Sequence, residues 1–238
     1  MDIQKFLKCD KCGGKGFTYS PDGKEIKMCS CTGKHNFVRR MKNSGLLGSF
    51  DKFTFDSYEC REPWQTKMLD RAKEYVRDGV EAGNWIYFGG QPGCGKTHLA
   101  TAIVGDLLEK YDCLYVVWTT EIQKIKAVIV DTVEYDKRVG RLQEIDVLFI
   151  DDFLKPAKDK EGNVQCASSA DIRIAFDILN YRYLNDKVTI ISSEWFLQEL
   201  MGVDEATASR IYEKCGKYKI NINRDISRNY RCRDDENF

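Results

Sequence analysis

A glycine-rich segment limits the fold more than any other part of this sequence. Residues 90–97 read Gly-Gln-Pro-Gly-Cys-Gly-Lys-Thr and match the pattern G-x-x-x-x-G-K-[ST]. Glycines let the backbone curl until its N–H groups point inward at phosphate oxygens, while Lys96 reaches the β- and γ-phosphates and the Thr97 hydroxyl binds Mg²⁺. We therefore predict an ATP-binding loop. Its residues are Gly90, Gln91, Pro92, Gly93, Cys94, Gly95, Lys96, Thr97 and the adjoining helix residue His98.

The sequence on either side of this segment has the pattern that such a loop requires. A short apolar run, Trp85 to Phe88, leads directly into the glycines and indicates a strand. After the loop, Leu99, Ile103 and Leu107 recur at helical spacing. Strand, loop and helix in this order are the context in which the pattern binds phosphate, so a purely structural glycine turn is the weaker alternative.

Apolar runs and helical patterns alternate along the rest of the chain. Short runs rich in β-branched and aromatic residues predict strands, and apolar residues at helical spacing predict helices. The later predicted strands are 113–118, 146–150, 188–191 and 218–222, and helices are predicted at 64–80 and at about 170–184. This alternation predicts an α/β fold with a five-stranded parallel sheet flanked by helices.

An acidic pair follows the apolar run that ends at Ile150. Residues 146–153 read Asp-Val-Leu-Phe-Ile-Asp-Asp-Phe. Taken alone, a strand that ends in two acids is more often a solvated strand end. Together with a phosphate loop it is typical of a Walker B element, in which an acid holds Mg²⁺ at the end of a neighbouring strand. We assign Asp151 to the metal and Asp152 to polarising the attacking water.

Four cysteines are grouped near the start of the chain, as Cys9-x2-Cys12 and, after sixteen intervening residues, Cys29-x-Cys31. Two close pairs of thiolates suit a tetrahedral Zn²⁺ site, and the turn residues between them suit a small ribbon or knuckle. Four sulfur ligands leave no open coordination position, so we expect a structural site in a docking module, with the metal supplying much of the folding energy. Unligated thiols, or His35 in place of Cys31, are the alternatives.

The 238 residues are enough for one substantial core and a small appendage. We place the boundary near residue 45, in a charged, glycine-containing linker, which gives a zinc-binding module at 1–45 and an ATPase domain at 46–238. The formal net charge is zero, but residues 1–45 contain ten basic and four acidic residues. This surplus favours nucleic acid or an acidic protein face as partner, unless the surface is only solvated.

The composition also bears on where the protein acts. No run approaches the roughly 18 apolar residues that span a bilayer, and residues 1–8 do not resemble a signal peptide. We expect a cytoplasmic protein without membrane contact. The six cysteines outside the group near the start are scattered singly, so we expect burial rather than disulfide pairing.

Several segments together resemble a known family. Gly-Cys-Gly-Lys-Thr-His-Leu-Ala at 93–100, the Asp-Asp pair, Ile-Ile-Ser-Ser-Glu at 190–194 and Ala-Ser-Arg-Ile-Tyr at 208–212 resemble AAA+ ATPases of the DnaC/DnaI helicase-loader type, including versions encoded by bacteriophages. The resemblance extends from about Phe50 to the C-terminus, and the cysteine module also resembles some of these proteins. It implies ATP hydrolysis, self-association through the ATPase domain, and a DnaB-type replicative helicase as partner, which the protein helps to place on single-stranded DNA.

The same resemblance assigns roles to three further residues. Ser193 matches the sensor-1 region, where a polar side chain senses the γ-phosphate. Arg210 matches the arginine finger that such proteins offer to the nucleotide of a neighbouring subunit, and Arg231 is a weaker match to a sensor-2 arginine. Each residue is otherwise explained as a surface or helix-capping residue. The predicted catalytic residues are Lys96, Asp151, Asp152, Ser193 and Arg210.

Two departures from the family pattern affect the expected activity. Many AAA+ proteins place Glu after the Walker B Asp, and Asp152 is one methylene shorter, so we expect slow hydrolysis that depends on an oligomer or a partner. The 45 residues after Ser193 are too few for a full C-terminal lid. A transposition helper of the IstB type and a non-hydrolysing ATP-binding adaptor remain as alternatives.

The basic residues between the second and third predicted strands include Lys124, Lys126, Arg138 and Arg141. In an oligomeric ATPase, side chains at this place can contact single-stranded DNA. A solvated helix face is the more frequent explanation of such residues.

Overall fold

The computed structural model describes residues 7–43, 52–108, 110–158, 164–165 and 167–232. The predicted domain boundary near residue 45 therefore lies outside the described residues. The helices are α1 (Thr32–Asn43), α2 (Pro63–Glu74), α3 (Lys96–Leu107), α4 (Trp118–Lys126), α5 (Thr132–Glu144), α6 (Ser169–Leu184), α7 (Leu197–Val203) and α8 (Glu205–Cys215).

The strands form one large sheet and two small ones. The strands are β1 (Phe17–Tyr19), β2 (Ile26–Met28), β3 (Ile86–Gly90), β4 (Cys113–Val117), β5 (Val147–Asp151), β6 (Ala157–Lys158), β7 (Val164–Gln165), β8 (Val188–Ser192) and β9 (Lys219–Ile222). The large sheet has the order β4-β5-β8-β3-β9, and every neighbouring pair in it is parallel. The pairs β1–β2 and β6–β7 are antiparallel. The predicted α/β fold with a five-stranded parallel sheet is confirmed.

The strand before the glycine-rich loop extends further than predicted. The apolar run predicts a strand at 85–88, whereas β3 includes Gly89 and Gly90. These glycines remain in the sheet because they pair with Asn221 and Ile222 of β9. The pairing joins segments that are far apart along the chain, so the local pattern gives no signal for it.

The helix predicted at 64–80 is divided into two parts. After α2, residues Tyr75–Gly79 form a π-helical turn in which the Val80 N–H donates to the Tyr75 carbonyl (3.1 Å). The Tyr75 ring is fully buried against Tyr218, with the ring centroids 5.1 Å apart. The wider turn accommodates this packing, which helical spacing alone does not reveal.

Both faces of the large sheet are buried. Along β3 and β8, side chains alternate between two hydrophobic clusters, with Ile86, Phe88 and Ile190 in one and Tyr87 and Ile191 in the other. Helices α2 and α3 complete the first cluster, and α4 to α8 complete the second. Burying one such side chain contributes about 1.5–3 kcal/mol, so the alternation fixes the register of the strands. The loops at the carboxyl ends of these strands then meet along one edge, where parallel sheets bind ligands.

The cysteine module contacts the large sheet through α1. Its Val38 is buried in the same hydrophobic cluster as Cys113 and Tyr115 of β4. Gly33 lies against Asp112, since a Cβ at this glycine would come within 1.9 Å of Asp112 Oδ1. Because β4 is a terminal strand of the sheet, α1 lies against one of the two sheet edges.

A buried arginine joins the amino ends of two strands to a helix end. Arg182 of α6 is fully buried and donates to the carbonyl oxygens of Leu142 (2.9 Å), Ile145 (2.8 Å) and Val188, and to Thr189 Oγ1 (2.9 Å). Buried carbonyl groups require donors, and one guanidinium supplies several at once. Arg182 thereby fixes the end of α5 against the start of β8.

Among the described residues, no helix combines the length and the apolar character that a membrane crossing requires.

Candidate nucleotide site and cysteine cluster

The glycine-rich loop leads from β3 into the first turn of α3. Gly90 (φ 98°) and Gly95 (φ 94°) have left-handed backbone conformations that favour glycine. A Cβ at Gly90 would also lie 2.2 Å from the Ile222 carbonyl oxygen, and one at Gly95 would lie 2.8 Å from the Tyr58 ring. Backbone conformation and close packing therefore both require glycine at these two positions, and the loop curls around the N–H groups at the start of α3.

Lys96 begins α3 and folds back over the loop. Its ammonium group donates to the carbonyl oxygens of Gly90 (2.8 Å) and Gln91 (2.7 Å), and the side chain is buried. Burial lowers the pKa of Lys96, although nearby groups that include Glu194 and Asp152 oppose this effect. A cation held inside such a loop is placed to bind phosphate oxygens.

Asp151 lies at the end of β5 beside the first turn of α3. The Thr97 hydroxyl donates to its carboxylate (3.1 and 3.3 Å), as do the Tyr115 hydroxyl (3.2 Å) and the Ser192 hydroxyl. Burial raises the pKa of Asp151, while these hydrogen bonds partly oppose the rise. Carboxylate and hydroxyl oxygens are the ligands that Mg²⁺ prefers, so Thr97 and Asp151 fit a magnesium site.

Asp152 and Glu194 are linked by one lysine. The Lys155 ammonium lies 3.0 Å from Asp152 Oδ2 and 3.1 Å from Glu194 Oε1. Asp152 has a left-handed backbone conformation (φ 53°), a strain that tends to occur where function requires a particular geometry. Both carboxylates face the same cleft, and Lys155 partly neutralises their charge.

A cleft of about 740 Å³ lies over the loop and includes Lys96, Asp151 and Asp152 in its wall. Its volume is within the range of about 300–1,000 Å³ that is common for small-molecule sites. One side is aromatic, because the His98 ring stacks on Phe53 with centroids 4.7 Å apart. The His98 ring also donates to the Thr54 carbonyl (2.8 Å), and burial lowers the pKa of His98. His98 therefore lies in the wall of the cleft.

The end of the described chain covers the loop. The Tyr230 N–H donates to the Gly93 carbonyl (3.0 Å), and the Asp225 N–H donates to Gln91 Oε1 (2.9 Å). Arg231 lines the cleft together with Tyr230. The structure thus brings Arg231, the weakest of the sequence assignments, to the same cleft as Lys96.

Ser193 and Arg210 lie elsewhere. The Ser193 hydroxyl is buried, donates to the Phe153 carbonyl (2.8 Å) and accepts from the Trp195 N–H (3.2 Å), whereas the preceding Ser192 faces Asp151. Arg210 of α8 is not among the described residues that line the cleft, and its Nε donates to Asn180 Oδ1 (2.8 Å).

The residues of the site that the sequence predictions do not include are exemplified by Tyr115, Lys155, Ser192 and Glu194. Ser192 ends β8 and Glu194 follows it, and β8 neighbours both β3 and β5, so strand order is the signal that would have indicated them. Tyr115 reads as a core aromatic, and only its hydroxyl contact with Asp151 shows otherwise. For Lys155 the sequence contains no comparable signal.

The four grouped cysteines come together in the small module. Their sulfur atoms all lie within 4.8 Å of one another, with 3.6 Å between Cys9 and Cys29 and 3.4 Å between Cys12 and Cys31. A tetrahedron with Zn–S bonds of about 2.3 Å has sulfur atoms about 3.8 Å apart. The cluster therefore fits a Zn²⁺ ion.

Hydrogen bonding favours the thiolate form at Cys12, whereas burial raises the pKa of Cys31 to about 12. Burial raises the pKa of the Cys12 thiol, but the Gly16 N–H (3.3 Å) and the neighbouring cysteines outweigh this effect and lower the pKa to about 6. Thiolate is the form that binds metal. In the part of the chain that the structure describes, His35 lies outside the group of possible ligands, so Cys31 rather than His35 belongs to the cluster.

Comparison with known sequences identifies a family and several relatives. A family described as the bacterial DnaA ATPase domain matches residues 51–216. The chain is 33% identical to YqaM of Bacillus subtilis over 84% of this chain and 64% of YqaM, and thus spans less than two thirds of that relative. It is 33% identical to the phage-like element PBSX protein XkdC of the same organism, over 91% of this chain and 81% of XkdC. The chain is 28% identical to the replicative helicase loader DnaC of Escherichia coli, over 48% of this chain and 47% of DnaC.

Among solved structures, the crystal structure of the DnaC helicase loader superimposes with a TM-score of 0.57. The match covers 74% of this chain and 99% of that chain at 20% identity, so it supports the fold. The strand order, the phosphate loop and the matched family agree with one another. The chain therefore belongs to the family of the bacterial DnaA ATPase domain.

Proposed function

We propose that this protein is an ATPase that binds a DnaB-type replicative helicase and helps to place it on single-stranded DNA. The observation that carries the proposal is the contact of Thr97 with Asp151 beside the buried Lys96, inside a cleft large enough for a nucleotide. The helicase part is supported by a matched relative that is named a replicative helicase loader.

In the proposed site, Lys96 and the N–H groups of the loop bind the β- and γ-phosphates of ATP. Thr97 and Asp151 hold Mg²⁺, which neutralises charge on the transferred phosphoryl group. Asp152 orients the attacking water. We assign the sensor role to Ser192, because its hydroxyl faces Asp151, in preference to the buried Ser193.

Two arginines complete the proposed site from different directions. Arg231 lines the cleft and is placed to contact the nucleotide in the same subunit. Arg210 lies outside the cleft, where its guanidinium stacks 4.9 Å from the Phe176 ring centroid. We propose that Arg210 serves the nucleotide of a neighbouring subunit, so that efficient hydrolysis requires self-association.

The contacts of Lys155 support slow hydrolysis by the isolated protein. The Lys155 ammonium lies 3.0 Å from Asp152 Oδ2 and so occupies the carboxylate that would orient the attacking water. An oligomer or a partner that draws Lys155 away would increase turnover. An increase of turnover caused by a partner would distinguish a regulated ATPase from an adaptor that does not hydrolyse ATP.

The cysteine cluster supports a Zn²⁺-binding docking module at 1–45, in front of an ATPase domain at 46–238. One face of its β1–β2 hairpin exposes large apolar side chains, with Tyr19 60%, Ile26 63% and Met28 73% exposed. Tyr19 and Ile26 are direct cross-strand partners. Exposed apolar groups of this size are typical of protein-binding surfaces, and we propose this face as the helicase contact.

Arg141 supports binding of single-stranded DNA. It lies in the wall of a groove beside β4, and a positively charged side chain in such a place can bind a phosphate group. Burial lowers the pKa of Arg141, and the positive charge of Arg39 on α1 lowers it further. Lys124, Lys126 and Arg138 instead form ion pairs with Glu121, Asp171 and Glu134, which fits a solvated helix face.

The decisive experiment is co-purification of the full chain with a DnaB-type helicase, with and without ATP. We expect a complex that persists when Lys96→Ala abolishes ATP binding but weakens when Tyr19→Ser and Ile26→Ser remove the apolar hairpin face. Lys137→Ser on the exposed side of α5 is the matched control. Failure to bind any helicase would contradict the loader function.

Phosphate release distinguishes the ATPase from the adaptor. We expect turnover to rise when helicase and single-stranded DNA are both present, and Arg210→Ala to remove that increase without changing ATP affinity. Turnover that stays at background under these conditions would show that ATP has only a structural role. Full turnover by a demonstrated monomer would exclude Arg210 acting on a neighbouring subunit.

A further inference from the structure

The edge of the large sheet opposite β4 is formed by β9. On one side, the carbonyl oxygens of Tyr218 and Ile222 accept from the N–H groups of Tyr87 and Gln91. Backbone groups alternate in direction along a strand, so the N–H and C=O groups of the intervening residues 219 and 221 point away from β3. No strand of the described part of the chain pairs with this outer side.

A groove of about 510 Å³ lies between β9 and α2. Apolar side chains line part of it, with Met68 buried and Trp64 and Ile220 half-buried. An extended peptide places alternate side chains on opposite faces, so half of its side chains would reach this apolar surface while its backbone reached β9. The groove and the strand edge together therefore suit an extended segment.

The side chains that line the groove carry more positive than negative charge. Its lining includes five basic and two acidic residues: Lys67, Arg71, Lys217, Lys219, Arg228, Asp70 and Glu74. The Glu74 carboxylate is already shared between Arg71 (3.3 Å) and Lys217. The remaining positive charge is therefore only partly balanced from within the groove.

Two of these cations lie on aromatic rings. The Arg228 guanidinium is 5.5 Å from the Trp64 ring centroid, and the Lys219 ammonium is 3.7 Å from that of Tyr212. Cation–π contacts at exposed positions are weak, so they leave these groups able to bind a carboxylate. Lysine on an edge strand repels a basic strand and attracts an acidic one, so the charge of β9 favours an acidic partner.

We propose that β9 and the groove beside it bind an extended acidic segment of a partner protein by strand addition. The outward backbone groups of Lys219 and Asn221 form the hydrogen bonds, the basic rim pairs with acidic side chains, and Trp64 and Ile220 contact the alternate apolar ones. This surface is separate from the nucleotide cleft and from the hairpin face, so the proposal does not depend on the loader function.

The test uses the full chain and short fluorescent peptides. The probe is a peptide of alternating Glu and Val, and the controls are the same peptide with N-methylated backbone groups and a peptide of alternating Lys and Val. We expect binding of the acidic peptide alone, weakened by added salt. Hydrogen exchange at residues 219–222 should slow when the acidic peptide binds, because strand addition protects the outward amides.

Charge reversal locates the binding surface. We expect the double variant Lys67→Glu with Lys219→Glu to lower the affinity for the acidic peptide at least about tenfold. Lys137→Glu, an exposed lysine on α5, is the matched control and should leave affinity unchanged. Thermal unfolding of both variants shows whether the fold is retained. Hydrogen exchange of the unmutated protein with and without the acidic peptide tests the proposal without any variant.

Several results would overturn the proposal. These are equal binding of the N-methylated peptide, unchanged affinity in the double variant, no slowing of exchange at 219–222, or no binding of the acidic peptide. Self-association of the chain that the double variant abolishes, without competition by the peptide, would assign the edge to a second copy instead.

Discussion

At the residue scale, Lys155 forms ion pairs with two carboxylates that can each take part in ATP hydrolysis. Asp152 follows Asp151, the proposed metal ligand, at a position where many AAA+ proteins have Glu, and Glu194, which has one more methylene, contacts the same ammonium group at 3.1 Å. Both side chains line the cleft. Either carboxylate can orient water once Lys155 has moved.

Substitution of Lys155 and Glu194 tests this arrangement. Glu194→Gln should lower turnover about 10–100-fold if Glu194 assists as a base, and Lys155→Met should raise turnover a few-fold because both carboxylates are released. Phosphate release at saturating ATP measures both effects. ATP affinity should remain within about twofold, and Lys137→Met is the control. Unchanged turnover in both variants would leave Asp152 as the sole base.

Asp151 lowers the stability of the nucleotide-free protein because its carboxylate is buried. Burial raises its pKa in the folded state, so its ionisation costs stability at neutral pH, and this cost disappears as the pH falls towards the ordinary value of 3.8. Asp151→Asn should raise Tm by about 2–4 °C at neutral pH, with a smaller gain in acid, while Mg²⁺-dependent turnover is lost. A fall in Tm would show that its hydrogen bonds outweigh burial.

The sequence predicts Lys96, Thr97 and Asp151 of the phosphate site but does not indicate that Ser192, rather than Ser193, faces Asp151. Lys96, Thr97 and Asp151 follow from local patterns, and the structure places them together. The choice between Ser192 and Ser193 depends on where the strand ends. The predicted strand stops at 191, whereas β8 continues through Ser192 and presents its hydroxyl to Asp151. Because successive side chains of a strand point to opposite faces of the sheet, a shift of one residue moves the hydroxyl to the other face.

At the element scale, Arg182 connects three elements that the sequence shows only as separate segments. Arg182→Met should lower the free energy of unfolding by about 3–5 kcal/mol, because several buried carbonyl groups lose their donor. Arg173→Met, on the exposed face of the same helix, should change it by about 0.5 kcal/mol or less. Denaturant unfolding compares the two variants. A similar loss of unfolding free energy in both variants would show that Arg182 acts only through the stability of the helix.

The strands and helices are predicted better than the contacts between them. Short runs rich in β-branched and aromatic residues indicate all five strands of the large sheet. The position of α1 against β4 is not indicated, since the sequence of α1 does not show which element Val38 contacts. Such contacts depend on tertiary packing, which local periodicity does not encode.

At the scale of the whole molecule, the cysteine module and the ATPase domain are coupled through α1. Removal of Zn²⁺ by a chelator should unfold the module, and loss of the Val38 contact should then lower the Tm of the ATPase domain by a few degrees. Circular dichroism follows the unfolding, and hydrogen exchange at 113–117 should increase. Val38→Ser should reproduce the exchange increase without releasing Zn²⁺. An unchanged Tm of the ATPase domain after chelation would show that the two parts are independent.

The turn that covers the phosphate loop has a kinetic consequence. Tyr230 holds the Gly93 carbonyl through its N–H and the Glu59 carbonyl through its hydroxyl (2.9 Å), so one residue connects the loop to the segment before α2. We expect this turn to loosen before a bound nucleotide dissociates. A partner that binds the C-terminal segment would then alter the residence time of the nucleotide more than the equilibrium affinity for the nucleotide.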